Sequence, residues 1–208
     1  MLSSISRVPS ALFGCILLGA CGMTSGTSSQ PTLSQDTGTA RPANLLVPAA
    51  FPQQSFTAYI TGYSYWDNTP VGSAAIALPV VHNSAGGQGT YNDPITLAVG
   101  HSINGGVSKP DVPAGTRFYL ERLQKYAIVE DVCGDGATPQ NGPCHTGHEG
   151  HPWFDLYIGG AKVTAQTAAA CARSITDLQT VIMNPLPTLP VAAGEVTDST
   201  CKTLAQAN

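Results

Sequence analysis

Ala127–Gly160 reads AIVEDVCGDGATPQNGPCHTGHEGHPWFDLYIGG. Two runs of strand-like composition, Tyr126–Val132 and Trp153–Ile158, bracket a polar, glycine-rich loop. Each run carries an aspartate among apolar and aromatic neighbours, Asp131 in the first and Asp155 in the second. A carboxylate in such surroundings is costly to bury, so it needs either a hydrogen-bond network or a chemical task. Strand alternation places Trp153, Asp155 and Tyr157 on one face and Phe154, Leu156 and Ile158 on the other. The same rule makes Glu130 and Asp131 point oppositely, and periodicity alone does not choose which of them faces inward.

Around this stretch the chain has 208 residues, only 11% of them charged, with 22 glycines, 16 prolines and a formal charge of -4. That composition suits a loop-rich, all-β, exported domain and offers no basic stripe for nucleic acid. Phe56–Trp66 is β-rich and starts the folded domain near Gln54. Asp67–Gly72 is a turn cluster. Ala74–Val81 is a second apolar segment that Pro79 demotes or bulges. Ile95–Val99 is a short strand, Ile103–Pro113 is rich in turns, and Thr116–Leu120 pairs with Lys125–Val132. A short helix is expected around Ala168–Arg173 and a last strand at Thr180–Met183, before Pro185, Pro187 and Pro190 impose an extended path.

The first residues resemble a lipoprotein export signal. Arg7 is followed by the apolar run Ala11–Leu18, too short to span a bilayer, and by Leu18-Gly-Ala-Cys21. The expected division is a signal peptide over 1–20, a lipidated Cys21, a flexible tether over 21–53 poor in apolar residues, and a barrel domain over 54–208. Such a chain belongs in a bacterial cell envelope, lipid-anchored, or outside the cell. Four further thiols, Cys133, Cys144, Cys171 and Cys201, suggest two bridges. Three pairings are possible. The local ones, Cys133 with Cys144 and Cys171 with Cys201, are preferred.

Several motifs together resemble a known group. Thr61-Gly-Tyr63, Asp131 late in a middle strand and Phe154-Asp155-Leu156 resemble the double-psi β-barrel of expansins and rare lipoprotein A. Tyr65-Trp66-Asp67 is similar to a motif of the family-45 glycoside hydrolases, which share that barrel. Asp67-Asn68-x-Pro70-x-Gly72, Gly86–Pro94, Val129–Cys133, Asp155–Gly160 and the tail Asn184–Pro190 resemble small secreted barwin-like proteins. The resemblance covers roughly residues 56–201. It implies a six-stranded double-psi β-barrel with long loops and one or two short helices, whose groove binds extended polysaccharide. It implies Asp155 as the acid, Asp131 as a second groove aspartate, and Thr61 and Tyr63 as polar residues supporting the acid. Asp67 matches the hydrolases' base, although paired cysteines follow in the hydrolases and Asn68-Thr69-Pro70 follows here.

Glycosidic cleavage needs a protonated carboxyl on the leaving oxygen and a second carboxylate as base or nucleophile. Poor solvation favours the neutral form of an aspartate such as Asp155, flanked by Trp153, Phe154 and Tyr157. Tyr63, Tyr65 and Trp66 could form a stacking platform for sugar rings, and Trp153 and Tyr157 flank the acid on its own face. Asp67 could equally cap its turn. His145, His148 and His151 recur every third residue, but Gly147, Gly150 and Pro152 break any helical facing, so neither metal nor cofactor is expected. The expected function is a lipid-anchored, monomeric barrel that binds cell-wall or exopolysaccharide glycan, peptidoglycan included. It either cleaves or loosens that glycan, as a glycoside hydrolase or a lytic transglycosylase-like enzyme would, or binds it without turnover. A structural or interaction protein of the envelope is the third class.

Overall fold

The computed structural model describes residues 52–201. The expected signal peptide over 1–20, Cys21 and nearly all of the tether lie outside the described residues.

Six strands close into a barrel. In chain order the strands are β1 (Gln54–Tyr63), β2 (Ile95–Val99), β3 (His101–Asn104), β4 (Val107–Pro110), β5 (Arg117–Leu120), β6 (Lys125–Val132), β7 (Trp153–Tyr157) and β8 (Asp177–Met183). Around the barrel the order is β1-β7-β2-β6-β5-β8, with β8 closing on β1, while β3 and β4 form a separate hairpin. The β1/β7 and β2/β6 pairs are parallel and the other barrel pairs antiparallel. Two short helices, α1 (Pro143–Thr146) and α2 (Ala165–Ile175), complete a mostly β architecture, as expected. Among the described residues no helix is long and apolar enough to cross a membrane.

Each element follows from its sequence. β2 is apolar or threonine throughout and wholly buried, because it lies between β6 and β7 and is covered on both faces. On β7 the alternation holds as far as Leu156: Phe154 and Leu156 enter the core, where Phe154 packs 4.9 Å from Phe118, and Trp153 and Asp155 stay partly exposed, but Tyr157, expected on the Asp155 face, is buried in the core. Thr164 caps α2, its hydroxyl accepting from the Thr167 N–H at 3.2 Å. Ala168, Cys171 and Ile175 make the buried stripe of that helix. The two bridges are Cys133–Cys144 and Cys171–Cys201, with Cα separations of 5.9 and 5.5 Å.

Ala74–Val81 is irregular, in keeping with the Pro79 within it: its Ala77 and Val81 N–H groups donate to the Asp131 and Glu130 side chains and its Leu78 N–H to the Glu130 carbonyl. One segment departs from the sequence reading. His101–Pro110, expected as turns beyond Ile103, contains the β3/β4 hairpin around Gly105-Gly106, both at positive φ.

Candidate functional site: an acid-lined cavity on the barrel

The register of four strands builds the site. Thr61 on β1 pairs with Asp155 on β7, Asp155 with Ala98 on β2, and Ala98 with Asp131 on β6. Residues level with one another across a sheet point the same way, so these four form one row. Two strand spacings separate the acids, which puts their Cα atoms roughly 9.5 Å apart. Ala98 between them presents only a methyl group. A β-bulge at Leu97/Ala98 takes Glu130 out of the ladder and brings Asp131 level with Ala98. The opposite facing expected for Glu130 and Asp131 fails here: the single segment 77–82 hydrogen-bonds to both acids.

Three of the four, Asp155, Ala98 and Asp131, line a cavity of about 410 Å³. Asp67, Asp131, Asp155 and Tyr63 all line it, with His101 and the segments 75–77 and 132–136. Asp155 Oδ1 accepts from the Thr61 hydroxyl at 2.7 Å, and that hydroxyl accepts from the Trp153 indole N–H at 2.8 Å. Burial pushes the Asp155 carboxyl up to about 7; the Thr61 bond opposes this, and the charges of Asp67 and Asp131 reinforce it. Asp131 is only 6% exposed. Its Oδ1 accepts from the Ala77 and Val132 N–H groups at 3.0 and 2.9 Å, and its Oδ2 from the Tyr63 hydroxyl at 2.9 Å. Burial holds Asp131 above the usual carboxylate range against these three bonds. Burial, then Asp131, lifts the Tyr63 phenol well above its ordinary value, so Tyr63 remains a donor.

Asp67 is exposed at the cavity rim, and its Oδ1 caps the turn by accepting from both the N–H and the hydroxyl of Ser64, each at 2.6 Å. Of the residues expected to contact sugar, only Tyr63 lines the cavity; Thr61, Tyr65, Trp66, Trp153 and Tyr157 do not. The Trp66 indole N–H clamps the Gly160 and Val163 carbonyls at 2.9 and 3.0 Å, Tyr65 stands edge-on to Trp66 at 5.4 Å, and Tyr157 packs on Tyr63 at 5.2 Å. The three loop histidines have separate partners. His145 Nδ1 lies 2.8 Å from Asp111, the His148 ring stacks on Tyr59 at 4.0 Å, and His151 exchanges backbone hydrogen bonds with His148. Among the described residues no three His, Cys, Asp or Glu side chains are grouped to hold a metal ion.

The sequence reading missed a second acid network. Glu130, fully buried, accepts from the Val81 and His82 N–H groups at 2.6 and 2.8 Å and faces His82 Nδ1 at 2.7 Å. His82 Nε2 lies 2.9 Å from Asp93. Burial works against both charges, but the mutual hydrogen bonds outweigh it, holding Glu130 below and His82 above their ordinary values. His82 sits in an irregular loop with no periodicity around it, so no pattern signals this pairing. His101, whose Nδ1 is 2.7 Å from the Ser108 hydroxyl and whose Nε2 is 2.9 Å from the Gly134 carbonyl, was hidden in the unrecognised hairpin.

Fold and site together define a disulfide-braced, six-stranded closed β-barrel with an acid-lined surface cavity. The chain belongs to the family described as DDB_G0273701 N-terminal domain, which matches residues 55–203. It is 32% identical over 152 residues to a Dictyostelium discoideum protein described as uncharacterised, covering 72% of this chain. The match spans 60% of that protein's length. No solved structure matches. These relationships correct the expected location: the relative and the protein that gives the family its name come from Dictyostelium, a eukaryote, which conflicts with a bacterial cell envelope.

Proposed function

We propose that the chain binds an extended polysaccharide across Asp155, Ala98 and Asp131 and that Asp155 acts on it as a hydrogen-bond and proton donor. The observation that carries this reading is the pair of carboxyls lining one cavity, of which Asp155 is pushed by burial up to about 7. A neutral carboxyl can donate to a sugar oxygen where a carboxylate cannot. We also read the barrel as a double-psi barrel, supported by its two parallel pairs within six closed strands. The two disulfides suit an oxidising compartment.

The test is to incubate the purified chain with cellulose, chitin and peptidoglycan and to measure both retention and newly released sugar ends. Retention on at least one of them, weakened by Asp155→Ala, is the expected result. No retention on any of the three, with Asp155→Ala behaving like wild type, would end the reading.

A second reading, binding without turnover, has its own support. Asp131 offers no oxygen without a donor already on it, and Asp67 Oδ1 is committed to its turn. Hydrolysis by two carboxyls needs one of them unengaged to activate water or attack the sugar. Retention with no released ends would select this reading, and released ends that vanish in Asp155→Asn would select cleavage.

A further inference from the structure

The Trp153 side chain, which the sequence places beside the acid as a sugar contact, has its polar atom turned elsewhere. Its indole N–H can only donate, and it donates to the Thr61 hydroxyl at 2.8 Å. That hydroxyl has one hydrogen. Among the described residues its only acceptor is Asp155 Oδ1, at 2.7 Å. Oδ1 is thereby an acceptor, and Oδ2 of the same carboxyl takes no hydrogen bond from any described residue while Asp155 lines the cavity. The indole itself is held edge-on by Tyr59, at 4.7 Å between ring centres, and Tyr59 is covered by the stacked His148 ring.

We propose that Trp153 is a positioning residue: through Thr61 it fixes which oxygen of Asp155 carries the hydrogen of the neutral carboxyl, placing that hydrogen on Oδ2 in the cavity. The inference deepens the polysaccharide reading and rests on it for its functional meaning. A donor aimed by the fold loses no time or free energy in rotating toward its acceptor, which is what pre-organisation contributes at a site. It also assigns a purpose to the loop between Cys144 and Trp153, because His148 and Tyr59 set the plane of the ring that starts the chain of bonds.

The charged and titratable groups whose electrostatics reach Asp155 are Asp67, Asp131 and Tyr63, and all three are kept in every variant used. The experiment follows the Asp155 carboxyl carbon and the two indole N–H resonances by NMR across pH, in the full chain without any sugar. In wild type the Trp153 indole resonance should shift with the apparent pKa of Asp155, because ionisation of the carboxyl polarises the whole chain of bonds. The Trp66 indole, bonded to two backbone carbonyls, should stay flat and serves as the internal reference. Trp153→Phe keeps an aromatic ring against Tyr59 and removes the donor. It should raise the apparent pKa of Asp155 by about 0.5, and Thr61→Val by about 1, since each weakens support for the charged form. Thr61→Ser, which retains the hydroxyl, should titrate like wild type.

A Trp153 resonance that stays flat while Asp155 titrates overturns the proposal without need of any variant. So does an unchanged Asp155 titration in a folded Trp153→Phe chain. Failure of the chain to bind any glycan would remove the carbohydrate reading and leave these titrations standing, so the two are separable.

Discussion

Asp155 sits partly exposed in the cavity wall with, among the described residues, a single hydrogen bond to its carboxyl, and burial pushes it up to about 7, well above the ordinary 3.8. Between these values the folded chain holds a proton that the unfolded chain has lost. Stability contributed by this residue is therefore full below about pH 4 and declines as pH rises, levelling off above about 7. Asp155→Asn removes the ionisation and keeps an acceptor for Thr61. The variant should exceed wild type in stability by about 2 kcal/mol at pH 8, allowing for solvent screening of a partly exposed group. The difference should shrink steadily toward pH 4. Urea unfolding at pH 4, 6 and 8 measures it, and a difference that is the same at all three values would rule out the buried-acid account. A site residue that costs stability is the usual mark of a position kept for chemistry rather than packing.

At the scale of elements, the parts read correctly were those whose side chains obey one period. β7 was legible because its apolar residues and its acid alternate cleanly, and β1, β2, β5 and β6 because Thr, aromatic and branched residues concentrate there. The hairpin β3/β4 was not legible: its strands are four residues each and largely polar, and it packs against the loop instead of filling the core. Ala74–Val81, apolar but interrupted by Pro79, forms no strand and instead turns backbone N–H groups onto Asp131 and Glu130. The bulge in β6 was invisible because one extra residue shifts no composition, yet it decides which acid reaches the cavity. The helix α2 seats on β1 at Gly62, where an added Cβ would meet the Ile158 Cγ2 at 2.9 Å, the Ile175 Cδ1 at 3.0 Å and the Ala172 Cα at 3.3 Å. Gly62→Ala should cost about 2 kcal/mol by overpacking this contact. Because Gly62 neighbours Thr61 and Tyr63, the same change should also disturb the Asp155 titration. Thermal melting reads the first effect, and an unchanged melting temperature would mean that α2 shifts freely on the strand.

Over the whole molecule, two buried acid networks set opposing pH dependences, and their sum is the last expectation. Glu130 is held below its ordinary 4.5, so its contribution is complete above that value and lost as pH falls through the depressed one. His82 is held above its ordinary 6.5, so its contribution is complete below that value and lost as pH rises through the raised one. Asp131 and Asp155, both raised, subtract stability progressively as pH climbs above 3.8. Three of the four groups thus favour acid, and only Glu130 opposes strong acid. The chain should be most stable at about pH 4–5 and weaken toward pH 8, below the range near neutrality where most proteins are most stable. Glu130→Gln breaks a buried pair and leaves His82 facing only the partly exposed Asp93. It should lower stability by about 3 kcal/mol at pH 5 and abolish the acid-side loss while leaving the decline due to Asp155 intact. Scanning calorimetry from pH 3 to 8 on both chains tests this, below the range where Lys125, pushed down to about 8 by burial, adds stability as it loses its proton. A wild-type maximum at pH 7 or above would show that the cavity acids are ionised at neutral pH, and with them the donor role of Asp155 would fall.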